Sequence, residues 1–290
     1  AALELGIRTP SQAIADPGFF TLGTHTFRDD KKGGHGMVDM EKSIVESCDT
    51  YYYLLAREMG VNMMHDFMGP LGFGQKTGID LDGEAAGILP STEWKKKYFK
   101  KPEQQKWFEG ETISLGIGQG YNSFTILQLA HALANVVNEG VVMKPHLVKA
   151  VEDPFTRQQK LTTPTESYRL NFKPENIEVI KKSMVAVNQV GTSARSFKDA
   201  PYTNAGKTGT SQVFSLNAKE YNHATTPEFL RDHALFVAFA PAEKPTIVIA
   251  LIVENAGFGA QYAAPIARKA LDFYINGKWP KEIPEWKRAP

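Results

Sequence analysis

The chain has 290 residues, of which 42% are apolar and 22% charged, with a formal net charge of +1. That composition belongs to a folded domain rather than a disordered tail, and a near-neutral field gives no reason to expect a nucleic-acid partner. The longest apolar runs, TIVIALIV and ALFVAFA, are too short to span a bilayer, and the single cysteine, Cys48, excludes an intrachain disulfide.

Residues 1–36 lack clear periodicity and read as loop, although the opening AALELGIRTPSQ resembles the tail of a helix that begins upstream. Residues 37–60 read as helix, broken near Ser47 and stopped by Gly60. A short helix follows, closed by Gly and Pro, and residues 75–121 are rich in turns. NSFTILQLAHALANVVNEG (122–140) is the clearest helix, with Asn122 or Ser123 as its cap. HLVKAVED (146–153) suits a strand, and 154–173 an exposed insertion. Residues 173–191 form a second strong helix with Pro174 in its first turn. Strands are predicted near 200–214, at 233–241 and at 246–255, the last two linked as a hairpin, and residues 262–275 close as a helix. The stretch 277–290 reads as an extended tail. A helix-rich part (37–145) followed by a strand-rich part (146–276) indicates an α+β fold, an antiparallel sheet flanked by helices, with no sign of two independent cores.

Three stretches carry chemistry. In Lys207-Thr208-Gly209-Thr210 an ammonium, a glycine and two hydroxyls sit at the head of an apolar strand. Glycine is disfavoured inside strands, so its presence there points to a close approach of another backbone. Strand alternation puts Lys207 and Gly209 on one side and Thr208 and Thr210 on the other. Taken alone, the tetrapeptide also fits an edge strand with a lysine gatekeeper. Ser47 and Asp49 flank Cys48 at a helix border, where a simple cap is the competing reading. GIGQGY (116–121) lacks the Lys-Ser/Thr pair of a phosphate-binding loop, and a tight turn explains it as well.

Taken in order, Ser47-Cys48-Asp49, GIGQGY and Lys207-Thr-Gly-Thr210 resemble the transpeptidase domain of class B penicillin-binding proteins, of the elongation (penicillin-binding protein 2) type. TGIDL, KTGTSQVF, LRDH and FAP also look like that family, and the resemblance runs from about residue 16 to residue 275. It implies a serine acyl-enzyme that cross-links peptidoglycan stem peptides, with β-lactams as mimics of the acyl donor. In that scheme Ser47 relays a proton, Asp49 holds the cleft, and Lys207 supplies positive field. Thr208 and Thr210 bind the substrate carboxylate beside Gly209, and the Thr210 amide is half of an oxyanion hole. The sequence contains no Ser-x-x-Lys, the family's nucleophile motif. The expectation is that it lies upstream of residue 1, so that the chain alone is inactive. A non-catalytic peptidoglycan- or partner-binding relative, and a β-lactamase or β-lactam sensor of the same fold, are the rival readings. The resemblance further implies a periplasmic protein with an inner-membrane anchor outside this chain. Its implied partners are lipid-linked glycan, a membrane glycosyltransferase and elongation-complex proteins.

No cofactor is expected for catalysis. The loop before Cys48 nevertheless holds Asp16, His25, Asp29, Asp30 and His35. Thiolate, imidazole and carboxylate are zinc-ligand types. The best set is Asp16, Asp29, His35 and Cys48, which matches a structural zinc set of some elongation-type relatives; a buried free cysteine in a polar loop is the alternative. The basic, aromatic run 93–108 reads as a solvated face or a contact for lipid-linked glycan, headgroups or a partner. Arg231 and Asp232 are expected to form an ion pair.

Overall fold

A computed structural model describes residues 1–213 and 225–277; Phe214 of the KTGTSQVF stretch and the tail after Gly277 lie outside the described residues. The chain divides into two compact units, Ala1–Met184 and Val185 onward.

In the first unit the expected loop contains short strands. β1 (Ile14–Asp16) pairs antiparallel with β4 (Gly36–Val38), and between them β2 (Phe19–Leu22) and β3 (His25–Arg28) form a hairpin. These strands have only three or four residues each, too few to show a period in the sequence. α1 (Met40–Val45) starts at Asp39, whose carboxylate accepts the Lys42 N–H at 2.9 Å. The chain breaks at Ser47, as expected, and α2 (Asp49–Met68) begins after Cys48. Gly60 does not stop this helix; it kinks it, with φ +73°, and helical turns resume beyond.

The turn-rich stretch holds three helices that the reading did not anticipate: α3 (Thr92–Tyr98), α4 (Pro102–Gln105) and α5 (Glu109–Gly116). α5 packs along α2 so closely that a Cβ on Gly116 would lie 2.5 Å from the Tyr52 carbonyl oxygen. α6 (Ile126–Val137) starts later than expected. Thr125 caps it, exchanging hydrogen bonds with Gln128, while Asn122 instead turns its side-chain amide to the Leu115 carbonyl. β5 (Val141–Met143) pairs with β8 (Glu166–Arg169), and β6 (Ala150–Glu152) with β7 (Gln159–Leu161). The return of β8 to β5 keeps residues 146–169 with the first unit. The compact units therefore divide inside α7 (Pro174–Gln189), not near residue 145 where the sequence changes character. Leu71, Phe73 and Ala132 centre a core cluster of this unit, with Phe67, Leu89 and Phe124 packed on it.

The second unit follows the reading more closely. α8 (Ala194–Phe197) precedes an antiparallel sheet in the order β11 (Ile247–Val253), β10 (His233–Ala240), β9 (Ala205–Ser211). α9 (Gly259–Asn276) covers one face. Ala234, Phe236, Ala238 and Ala240 alternate along β10 and bury against Ala263, Ala264, Ala267 and Leu271 of α9 and Phe197 of α8. Small residues on both surfaces let the helix lie close to the strands. At the start of α9 a Cβ on Gly259 would lie 2.3 Å from the Leu235 oxygen and 2.4 Å from the Gly209 oxygen, so only glycine fits that contact.

Candidate functional site

The motif residues fall in both units, and each group is described within its own.

In the first unit, two loop crossings gather four polar groups. Gly18 and Gly34 face each other: a Cβ on Gly34 would lie 2.1 Å from the Asp16 oxygen and 2.5 Å from the Gly18 nitrogen. Both have positive φ, +93° and +77°, which glycine adopts without cost. This crossing sets Asp16 beside His35, whose backbone N–H and ring Nδ1 each lie 2.8 Å from Asp16 Oδ2. Asp29, just after β3, places Oδ1 3.3 Å from the same ring nitrogen and accepts the Thr50 N–H at 2.8 Å. Cys48 Sγ lies 3.4 Å from both Asp16 Oδ2 and Asp29 Oδ2. One ligand atom from each of the four residues fits within a sphere of mutual distances below 4.8 Å, and all four residues are buried.

The electrostatics of this cluster are those of an anion-rich interior. Burial alone would raise the Asp16 carboxyl; the nearby Thr50 hydroxyl, the Gly18 and His35 amides and the His35 ring outweigh it and hold it at about 2. Burial, with Asp29 and Asp16 alongside, pushes the Cys48 thiol far above its ordinary range. Two carboxyl groups, a thiol and an imidazole converge on one point inside the unit. That donor set fits a divalent cation of borderline softness. The other ring nitrogen, His35 Nε2, faces the Asp30 and Glu46 carboxylates at 3.9 Å each, on the side where a metal-bound imidazole commonly donates its remaining N–H. Of the loop residues weighed from the sequence, His25 stands apart, on the hairpin, against the Phe27 ring.

Cys48 is fully buried, while its neighbours Ser47 and Asp49 stay half-buried, so the three-residue stretch does face two ways. Ser47 holds φ +60°, a left-handed conformation unusual for serine and frequent at functional positions. Asp49 opens α2, where the helix dipole favours a carboxylate. The GIGQGY stretch ends α5 and turns through Gly118 and Gly120 at φ +80° and +72°. Its Tyr121 donates to Glu111 at 2.9 Å. Glu111 also receives the buried Lys95 ammonium, which sits among the rings of Phe99, Trp107, Phe108 and Tyr121 at 5.3–5.9 Å. The basic run is therefore not wholly a solvated face. Lys95 points inward and locks the loop, a role that residue type alone hides because lysine is so seldom buried.

In the second unit, Lys207–Thr210 lies on β9, the outer strand of its sheet. The register sets Lys207 opposite Val237, Thr208 opposite Phe236, Gly209 opposite Leu235 and Thr210 opposite Ala234. All four are half-buried. Thr208 Oγ1 shares a hydrogen bond with Thr192 Oγ1 at 2.9 Å. The Gly209 backbone is the one that Gly259 of α9 approaches, which requires glycine at 259; a Cβ on Gly209 itself would meet the Leu235 Cβ at 3.3 Å. The expected Arg231–Asp232 pair is absent among the described residues. Arg231 Nε donates to the Thr226 carbonyl, and the buried Asp232 accepts the Val213 N–H at 3.3 Å. Arg231 is half-buried and Asp232 buried, and each is held by a different backbone group.

The model of the penicillin-binding protein transpeptidase domain matches residues 1–272. The peptidoglycan D,D-transpeptidase MrdA of Haemophilus influenzae is 43% identical over 97% of this chain, and that of Escherichia coli K12 is 39% identical over 98%. The chain spans 43% and 45% of the length of those two relatives. Among solved structures, Pseudomonas aeruginosa PBP2 in complex with WCK 5153 superposes with a TM-score of 0.79 at 37% identity, over 98% of this chain and 61% of that one. PBP2 of Helicobacter pylori in its complex with MreC gives 0.76 at 28%, over 95% and 49%. The motifs, the α+β fold and these likenesses agree: the chain belongs to the penicillin-binding protein transpeptidase family, in its PBP2/MrdA-type branch.

Proposed function

We propose that this chain forms the body of a peptidoglycan D,D-transpeptidase that works by serine acyl transfer and that β-lactams acylate. The observation that carries the reading is the placement of Lys207-Thr208-Gly209-Thr210 on an edge strand, where an extended peptide can lie alongside. Lys207 supplies the positive charge that holds a terminal carboxylate, and the hydroxyls of Thr208 and Thr210 donate to it. The Thr210 amide is one oxyanion donor; loss of such a donor costs about 10²–10³ in kcat. Ser47, held in its strained turn, passes a proton towards the leaving amine, and Asp49 holds the cleft geometry and contacts the peptide amide. The nucleophile and its lysine are supplied by sequence outside these 290 residues, so the chain by itself takes up no β-lactam.

Intact mass after incubation with a labelled penicillin tests this. An adduct on the protein carrying its native upstream sequence, with none on the 290 residues alone, is the expected result. Lys207→Ala should then slow acylation about 10²–10³-fold. No adduct on either form would favour a non-catalytic relative, and an adduct that hydrolyses within minutes a β-lactamase.

Asp16, Asp29, His35 and Cys48 would hold a structural zinc ion. Bound there, the metal would neutralise the buried carboxylates and pin β1 and β3 to the start of α2, next to Ser47. Metal analysis after zinc-replete purification should give one equivalent, and Cys48→Ser should lower it. Among the described residues no helix is long and apolar enough to cross a membrane. A periplasmic location with an anchor elsewhere, lipid-linked glycan as substrate source, and a membrane glycosyltransferase and elongation proteins as partners complete the proposal. Support comes from the relatives solved with MreC and in a peptidoglycan synthase complex.

A further inference from the structure

The turn between α7 and α8 carries a hydroxyl that the scheme above leaves unused. Thr192 Oγ1 lies 2.9 Å from Thr208 Oγ1. A buried polar relay fixes this turn. Ser193 Oγ donates to Asn188 Oδ1 at 2.5 Å, Asn188 Nδ2 to Asn204 Oδ1 at 2.8 Å, and Asn204 Nδ2 to the Tyr202 carbonyl at 3.0 Å. Ser193 and Asn188 are 1% and 4% exposed, and Asn204 immediately precedes β9. The turn is therefore tied to the strand at its entry and again at Thr208. Buried polar groups that are fully satisfied hold a unique arrangement, so Thr192 is placed and not merely near.

A threonine hydroxyl has one proton to give. If Thr208 gave its proton to Thr192, it would present only lone pairs to an anion. We infer that Thr192 is the donor and acts as a positioning residue: its proton goes to Thr208 Oγ1, which frees Thr208 to donate to the substrate carboxylate. Two hydroxyls in series ending on an anion polarise each other in that direction. The arrangement selects a ligand that carries a carboxylate at this point over an ester or amide. The inference rests on the reading of Thr208 as a carboxylate ligand.

The test uses second-order acylation rates by a penicillin and by its methyl ester, on the protein with its native upstream sequence. Thr192→Val should slow acylation by the free acid about tenfold, as weaker binding rather than slower acylation of the bound drug. Thr192→Ser should restore the rate to within about twofold. Thr192→Val should cost nothing further in a Thr208→Val background, and should leave the rate with the ester unchanged. If Thr208→Val slows the acid reaction while Thr192→Val does not, the inference is wrong and the carboxylate reading stands. Equal losses for acid and ester, or losses that add in the double variant, would make Thr192 a structural residue only. If Thr208→Val itself has no effect, the carboxylate reading fails first.

Discussion

The buried cluster of the first unit and the open strand of the second are built by opposite means. Asp16, Asp29, His35 and Cys48 come from separate loops and a helix start, and two glycines must pass within van der Waals range to bring them together. Lys207 to Thr210 are consecutive on one strand, and the ladder with β10 alone sets where each points. Polar groups in an interior need every partner in place, because an unpaired one costs the full desolvation penalty. Groups on an edge strand keep access to water and to a ligand. The first design is rigid and sensitive to a single atom; the second tolerates change but depends on what lies behind the strand.

The largest effect should follow from adding one methyl group at the crossing. Gly34→Ala places a Cβ 2.1 Å from the Asp16 oxygen at a φ of +77°, so the loops must separate. We expect a loss of about 4 kcal/mol or more, together with loss of any zinc held as proposed for this cluster. Thermal melting and metal stoichiometry measured on the same sample check it; a variant that melts normally with a full equivalent of zinc would show that the crossing does not build the site. Gly259→Ala is the counterpart in the second unit. Its Cβ meets the Leu235 and Gly209 oxygens at 2.3 and 2.4 Å, but a helix start can shift outward. The expected cost is smaller, about 2–3 kcal/mol, with slower β-lactam acylation of the protein carrying its native upstream sequence, because the Gly209 backbone moves with it.

That asymmetry also decides what could be read in advance. β9, β10, β11 and α9 follow periods of two and 3.6, so their positions were legible within a few residues. The grouping of Asp16, Asp29, His35 and Cys48 was legible as residue types and as a family likeness, yet nothing in the spacing of Asp16 and His35 told that Gly18 and Gly34 would meet. The hairpin of β2 and β3 stayed hidden because four-residue strands carry no period. α5 was hidden because Gly116, read as a turn signal, is there for packing against the Tyr52 backbone. Thr125, not Asn122, caps α6, since the Thr-x-x-Gln box outweighs a lone asparagine.

Lys95 sharpens the comparison within the first unit. Its ammonium is buried among four rings and against Glu111, so it resembles the Asp16-Asp29-His35-Cys48 cluster in burial and the strand motif in charge. Lys95→Met removes one partner and strands Glu111, at an expected cost of about 2 kcal/mol, since Glu111 keeps some solvent. Lys95→Met with Glu111→Gln should recover most of that loss, because the pair is then absent rather than broken. Urea unfolding of the two single variants and the double variant measures the coupling. Additive losses would mean that the rings, not the carboxylate, hold the lysine.

The smallest effect concerns Asp232, which accepts the Val213 N–H just past the end of β9. Burial raises its carboxyl above the ordinary 3.8, partly offset by that N–H and by His233. The neighbouring Arg231 donates its Nε to the Thr226 carbonyl. In the unfolded chain the group ionises near 3.8, and in the folded unit only at higher pH. Its contribution to stability is therefore fully present below 3.8 and is lost as pH rises through the folded value. Asp232→Asn keeps an oxygen for Val213 but never ionises. Relative to the unaltered protein, the variant should gain stability as pH rises from 4 to 7, by an amount smaller than any loss predicted above. Melting curves across that range give the sign directly, and a gain that shrinks with rising pH would mean that the ionised carboxylate is worth more to the end of β9 than burial takes away. The strand would then depend on a buried charge just as the cluster of the first unit does, and the contrast between the two designs would narrow to their exposure alone.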